Sequence, residues 1–155
     1  MSLIIAFMKR TLVCLIALAL VYVVPSLANP NNYPQFAQQQ VDPAIPIFFT
    51  GVEYLKAQLD AGKTPMLVDV RSAEEYKAGH IPGARNLPRG QLELRVDDEI
   101  PDPTMRIVTC CEFGKISTLA AAMLRTLGYT RAVALDGGVR AWREAGYPLE
   151  ATAPS

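Results

Sequence analysis

Ile107-Val108-Thr109-Cys110-Cys111-Glu112-Phe113-Gly114-Lys115-Ile116-Ser117, followed by Thr118-Leu119-Ala120-Ala121-Ala122-Met123-Leu124, is the stretch that decides how this chain is read. A short apolar run rich in β-formers ends at the two cysteines. A five-residue turn with one glycine follows, and an amphipathic helix is expected to begin near Ser117. Cys111 therefore opens a strand-to-helix loop. Inward-pointing amides and the positive end of the helix favour an anion at the centre of such a loop, and so a thiolate at Cys111. The same segment also admits a plain reading, in which Cys110 and Cys111 are two small hydrophobes buried at a strand end.

Working outward, strand and helix alternate. Residues 66–70 form a continuous apolar run bounded by Pro65 and Arg71, the pattern of a strand covered on both faces. Before it, Thr50-Gly51-Val52-Glu53 has capping-box spacing and opens a helix over residues 52–59. After it, Ser72-Ala73-Glu74-Glu75 caps a second short helix, residues 84–87 are a strand candidate, and residues 90–96 are a helix or turn. The helix after the cysteine loop places Ala120, Met123, Leu124 and Leu127 on one stripe, with Gly128 where a left-handed cap is wanted. Residues 132–135 make another buried strand, Asp136-Gly137-Gly138 turns the chain, and residues 139–145 are a last helix. The implied fold is α/β: a mainly parallel central sheet with helices on both faces, in one domain. Catalytic groups in such sheets sit at the carboxyl ends of strands, where Cys111 falls.

The chain has 155 residues, and its first 28 have the three parts of an export signal. These are Lys9-Arg10, an uncharged apolar stretch over residues 11–24, and Ser26-Leu27-Ala28 before a cut. Cleavage is expected after Ala28, placing the folded part in the periplasm or outside the cell. An uncleaved anchor is the competing reading of the same segment. Residues 29–46, with four prolines and no apolar period, read as a linker or arm; residues 47–150 form the domain and residues 151–155 a tail. Removing the signal leaves 13 basic and 15 acidic side chains, a net charge of −2, with no Lys/Arg run. That gives no electrostatic reason to bind nucleic acid or, once the signal is cut, a membrane. Small molecules or proteins are the expected partners. The two remaining cysteines are adjacent, so no disulfide framework can be drawn.

Four motifs in order carry a resemblance: Leu67-Val68-Asp69-Val70-Arg71, Gly79-His80-Ile81-Pro82-Gly83-Ala84, the Cys111 loop, and Leu135-Asp136-Gly137-Gly138-Val139-Arg140-Ala141-Trp142. Together, over roughly residues 47–149, the chain resembles a rhodanese-like domain. The resemblance implies a single-domain sulfurtransferase with no cofactor or metal. Its loop cysteine, Cys111 here, would take a sulfane sulfur from a donor such as thiosulfate or a persulfide and pass it to cyanide or a thiol. Amides from Glu112 to Ser117 (Glu112, Phe113, Gly114, Lys115, Ile116 and Ser117) would hold the persulfide.

The loop departs from the family pattern at its sixth position. Family members active on thiosulfate often carry a basic or hydroxyl residue there, and this chain has Ile116. Lys115 is the one cation within the loop, and the charge of Glu112 works against a thiolate and an anionic donor. Thiosulfate is therefore expected to be a poor substrate. The missing arginine also argues against the related cell-cycle phosphatases. Asp69 and Arg71 are expected to pin neighbouring loops, and His80 to shape a turn rather than act on Cys111. Phe113, at the loop tip, is expected to be exposed and to line the entrance.

Two other functions stay open on the sequence. One is a sulfur-carrier or binding module served by a dedicated protein partner, with little activity on small donors. The other is a redox function through a Cys110–Cys111 disulfide, which the opposite facing of adjacent strand residues disfavours.

Overall fold

The computed structural model describes residues 42 and 44–152, so the segment read as an export signal and most of the expected arm lie outside the described residues. Five short strands form one sheet: β1 (Phe49–Thr50), β2 (Met66–Asp69), β3 (Arg85–Asn86), β4 (Ile107–Cys110) and β5 (Ala132–Leu135), in the order β1-β5-β4-β2-β3. Every pairing is parallel. The connections carry α1 (Val52–Asp60), α2 (Ala73–Ala78), a 3₁₀ turn (Arg89–Gln91) leading into α3 (Leu92–Glu99), α4 (Lys115–Thr126) and α5 (Gly138–Glu144).

Side chains alternate across the sheet as the pleat requires. On one face Val68, Ile107 and Ala132 pack with Leu92 and Val96 of α3, with Ile100 just past its end, and with Ala120 and Leu124 of α4. On the other, Leu67, Val108 and Leu135 pack with Val52 and Leu55 of α1 and with Val139 and Trp142 of α5. Both faces are thus covered by helices, which is why β2, β4 and β5 read as mainly apolar rather than alternating.

Three local expectations are corrected. Thr50 does not cap α1: it belongs to β1, pairs with Leu135, and leaves Gly51 as an N-cap without a side-chain bond. The lone pair of strand residues was hidden because Thr50 and Glu53 mimic a capping box. The helix after the loop begins at Lys115 rather than near Ser117, because Gly114, in the left-handed region at φ 85°, turns the chain in a single residue. Leu127 lies past the end of α4 and is 45% exposed, so the buried stripe runs through Ala120, Ala121 and Leu124.

The cap of α2 is as the sequence reads. The Ser72 hydroxyl accepts from the Glu75 amide and the Glu75 carboxylate accepts from the Ser72 amide, each at 3.2 Å. This box fixes the chain directly after Arg71. Ser72→Ala is expected to lower stability by about 1 kcal/mol in urea denaturation.

Candidate active site

The β2–β4 register places Asp69 beside Cys110, and the Val70 amide donates to the Cys110 carbonyl at 2.9 Å. Two residues beyond that pair, Arg71 and Glu112 therefore emerge side by side at the carboxyl end of the sheet. Their side chains meet, with Arg71 Nη1 3.2 Å from Glu112 Oε2.

Arg71 is anchored before it reaches Glu112. Its Nε and Nη2 donate to the carboxylate of Asp69, the shortest bond being 2.6 Å, and Nη2 also donates to the Gly79 carbonyl at 2.7 Å. Burial works against the guanidinium charge, but the bonds and charge of Asp69 outweigh it, so the Arg71 pKa is raised. The Asn86 amide donates to the carbonyls of both Asp69 and Arg71. Asp69 and Arg71 thus tie β2, β3, the residue before His80 and the cysteine loop together.

Cys111 is 3% exposed and packs on the α3/α4 face, whereas Cys110 is fully buried on the other. Both are free thiols. Burial, with the charge of Asp69 adding to it, pushes the Cys110 thiol well above the ordinary range, so Cys110 stays protonated. The placement of Cys110 is that of a small hydrophobe.

At Cys111 the sulfur is held from α4. The Ser117 amide donates to Cys111 Sγ at 3.3 Å, and Ser117 Oγ lies 3.5 Å from Sγ while donating to the Gly114 carbonyl at 3.1 Å. The loop carbonyls are engaged elsewhere. Those of Cys111 and Glu112 accept from the Val139 and Arg140 amides at 2.9 and 3.0 Å, and that of Gly114 accepts from the amide and hydroxyl of Thr118. The first turn of α5 thereby fixes the loop backbone. Gly138 makes this possible: at φ 65°, a Cβ there would overlap the Cys111 carbonyl oxygen and lie 2.7 Å from that of Glu112. Of the six loop residues expected to supply amides, Ser117 is the one whose amide bonds the sulfur among the described hydrogen bonds.

The carboxylate of Glu112, one residue after the sulfur in sequence, is ion-paired on both oxygens. Its second oxygen, Oε1, lies 3.2 Å from Arg143 Nη1 of α5, so both oxygens are paired with guanidinium groups. Arg140, also on α5, stands over the Phe113 ring at 5.7 Å and pairs with Glu144 at 2.7 Å. These two arginines lie about thirty residues from the loop in sequence, and only the Gly137-Gly138 turn hints that their helix packs on it. Phe113 and Ile116 are each 50% exposed, and Lys115 is exposed beside them. His80 is outside this cluster: its Nδ1 donates to the Tyr76 carbonyl at 2.9 Å, its ring stacks on Tyr76, and its Nε2 faces Glu150 at 3.8 Å. Among the described residues no group of three or more His, Cys, Asp or Glu side chains is arranged to hold a metal ion.

A parallel sheet ending in a cysteine loop at a helix N-terminus, braced by Asp69-Arg71 and by a Gly-Gly turn, agrees with the family comparison. The chain matches the rhodanese-like domain family over residues 51–145. It belongs to that family. It is 36% identical over 99 residues to a sulfurtransferase of Allochromatium vinosum, covering 64% of this chain and 91% of that protein. It is 39% identical over 85 residues to the adenylyltransferase and sulfurtransferase uba4 of Ogataea parapolymorpha, covering 55% of this chain but 22% of the relative. The crystal structure of a thiosulfate sulfurtransferase from Pseudomonas aeruginosa superposes with a TM-score of 0.66 at 30% identity, over 77% of this chain and 23% of that one. The rhodanese-like domain thus spans under a quarter of two of these three proteins.

Because Gly138 touches loop backbone rather than a flexible side chain, Gly138→Ala has to displace the loop or α5. The expected outcome is a loss of about 2–4 kcal/mol in urea denaturation.

Proposed function

We propose that this rhodanese-like domain is a sulfurtransferase working through a Cys111 persulfide. The observation that carries the reading is the placement of Cys111 Sγ at the β4–α4 turn, with the Ser117 amide 3.3 Å away and the Ser117 hydroxyl beside it. A donor at that position stabilises negative sulfur, whether thiolate or terminal persulfide sulfur.

In the first half-reaction the Cys111 thiolate attacks the outer sulfur of thiosulfate. The Cys111–S bond forms as the S–S bond of thiosulfate breaks, and sulfite leaves with the electron pair. In the second, cyanide or a thiolate takes the terminal sulfur. Thiocyanate or a new persulfide departs and the Cys111 thiolate returns. A persulfide donor reacts in the same way, with its thiolate as leaving group. No external oxidant or reductant enters either half, and the kinetics are ping-pong.

The half-exposed Phe113 and Ile116 at the entrance support an acceptor that presents apolar surface, a protein-bound thiol included. Cys110 takes no part, being buried on the opposite face of the sheet. Intact-mass measurement after incubation with thiosulfate or a persulfide donor tests the mechanism. The expected result is a gain of one sulfur atom in the wild type and in Cys110→Ser, reversed by cyanide and absent from Cys111→Ser. No gain from either donor would reject persulfide chemistry.

The export segment, which lies outside the described residues, supports on sequence alone a periplasmic or secreted protein. N-terminal sequencing of the protein recovered outside the cytoplasm is expected to begin at Asn29. Recovery in the membrane fraction with the segment intact would instead make it an anchor.

A further inference from the structure

Glu112 follows the proposed nucleophile in the chain, and its carboxylate is divided between two cations that differ in kind. Arg71 Nη1 bonds Oε2 at 3.2 Å from a side chain only 5% exposed and already fixed by Asp69 and Gly79. Arg143 Nη1 bonds Oε1 at 3.2 Å from a side chain 52% exposed. Among the described residues Glu112 is the one carboxylate paired with Arg143, whereas Arg140, one turn earlier, is held by Glu144. The charges of Asp69, Arg71, Glu112 and Arg143 sum to zero. Without that of Glu112 the sum is +1, and two guanidinium groups gain an unmatched N–H at the mouth of the cysteine loop.

We propose that Glu112 is a specificity-determining residue: a built-in anion that occupies Arg71 and Arg143 and so withholds them from a small dianionic sulfur donor. The favoured donor is then a persulfide with one negative charge or with an ammonium group near the sulfur, and thiosulfate is disfavoured by occupancy of its cations. This assignment rests on the sulfur-transfer reading above. A purely structural Glu112 would affect all donors alike, whereas an occupying anion affects them according to charge.

The experiment measures kcat/KM for thiosulfate and for cysteamine persulfide generated in situ, with cyanide as acceptor. It compares wild type, Glu112→Gln, Arg143→Gln and the double variant. Glu112→Gln is expected to raise the thiosulfate-to-persulfide ratio about tenfold, mainly through the KM for thiosulfate, and the gain should shrink as salt is raised. Arg143→Gln, on an exposed side chain with no burden on folding, is expected to lower the ratio about threefold. In the double variant most of the Glu112→Gln gain is expected to vanish. An unchanged ratio in Arg143→Gln, or an unchanged or lowered one in folded Glu112→Gln, overturns the assignment. Sulfur loading on Cys111 in the same samples separates the two levels: loading with an unmoved ratio overturns the role of Glu112 alone, and absence of loading from either donor overturns both.

Discussion

The guanidinium of Arg71 sits almost out of contact with water, and that placement is tolerable only because Asp69, Gly79 and Glu112 receive its N–H groups. Desolvating the pair costs about as much as the attraction returns, so its contribution is best seen in geometry rather than stability. Three pieces of chain meet at this group, the end of β2, the turn after α2 and the cysteine loop, and Asn86 of β3 holds the backbone carbonyls of Asp69 and Arg71 beneath it. The side chains are brought together by backbone register, because parallel pairing of Asp69 with Cys110 leaves Arg71 and Glu112 adjacent whenever the strands align. Slipping β2 against β4 by one residue would turn Arg71 to the other face and leave a buried charge unpaired. The ion pair therefore works as a lock on register.

The strands were legible where mainly apolar residues ran together and both faces were buried, as in β2, β4 and β5. Phe49–Thr50 was not, since two residues carry no period and Thr50 with Glu53 imitates a helix cap. Cys111 could be singled out because a strand, a glycine turn and an amphipathic helix are all local signals. Its surroundings could not. Arg143 reaches Glu112 across 31 positions, and nothing in either segment marks the other as its partner. The reading of Glu112 as a repulsive neighbour of the sulfur followed from sequence distance alone, and it lacked the two arginines that tertiary structure pairs with that carboxylate.

Adjacent cysteines with opposite fates show how strongly the pleat decides chemistry. Cys110 points into the layer formed with α1 and α5 and meets apolar side chains with the charge of Asp69 near by, which keeps it protonated. Cys111, the first residue beyond β4, points to the other layer, and there it meets the amide of Ser117 at the start of α4. One step along the chain separates an inert thiol from one with a hydrogen-bond donor aimed at its sulfur.

The chain contains a single tryptophan, Trp142, fully buried on α5 with its indole N–H donating to the Pro148 carbonyl at 2.8 Å and its ring edge-on to Tyr147. The same short helix contributes the Val139 and Arg140 amides that hold the carbonyls of Cys111 and Glu112. The indole and the backbone of Cys111 therefore share one support, separated by a single helical turn and one layer of backbone hydrogen bonds. The protein thus carries one indole on the helix that holds the cysteine loop, a built-in place to look for movement of α5 against that loop by emission without any label.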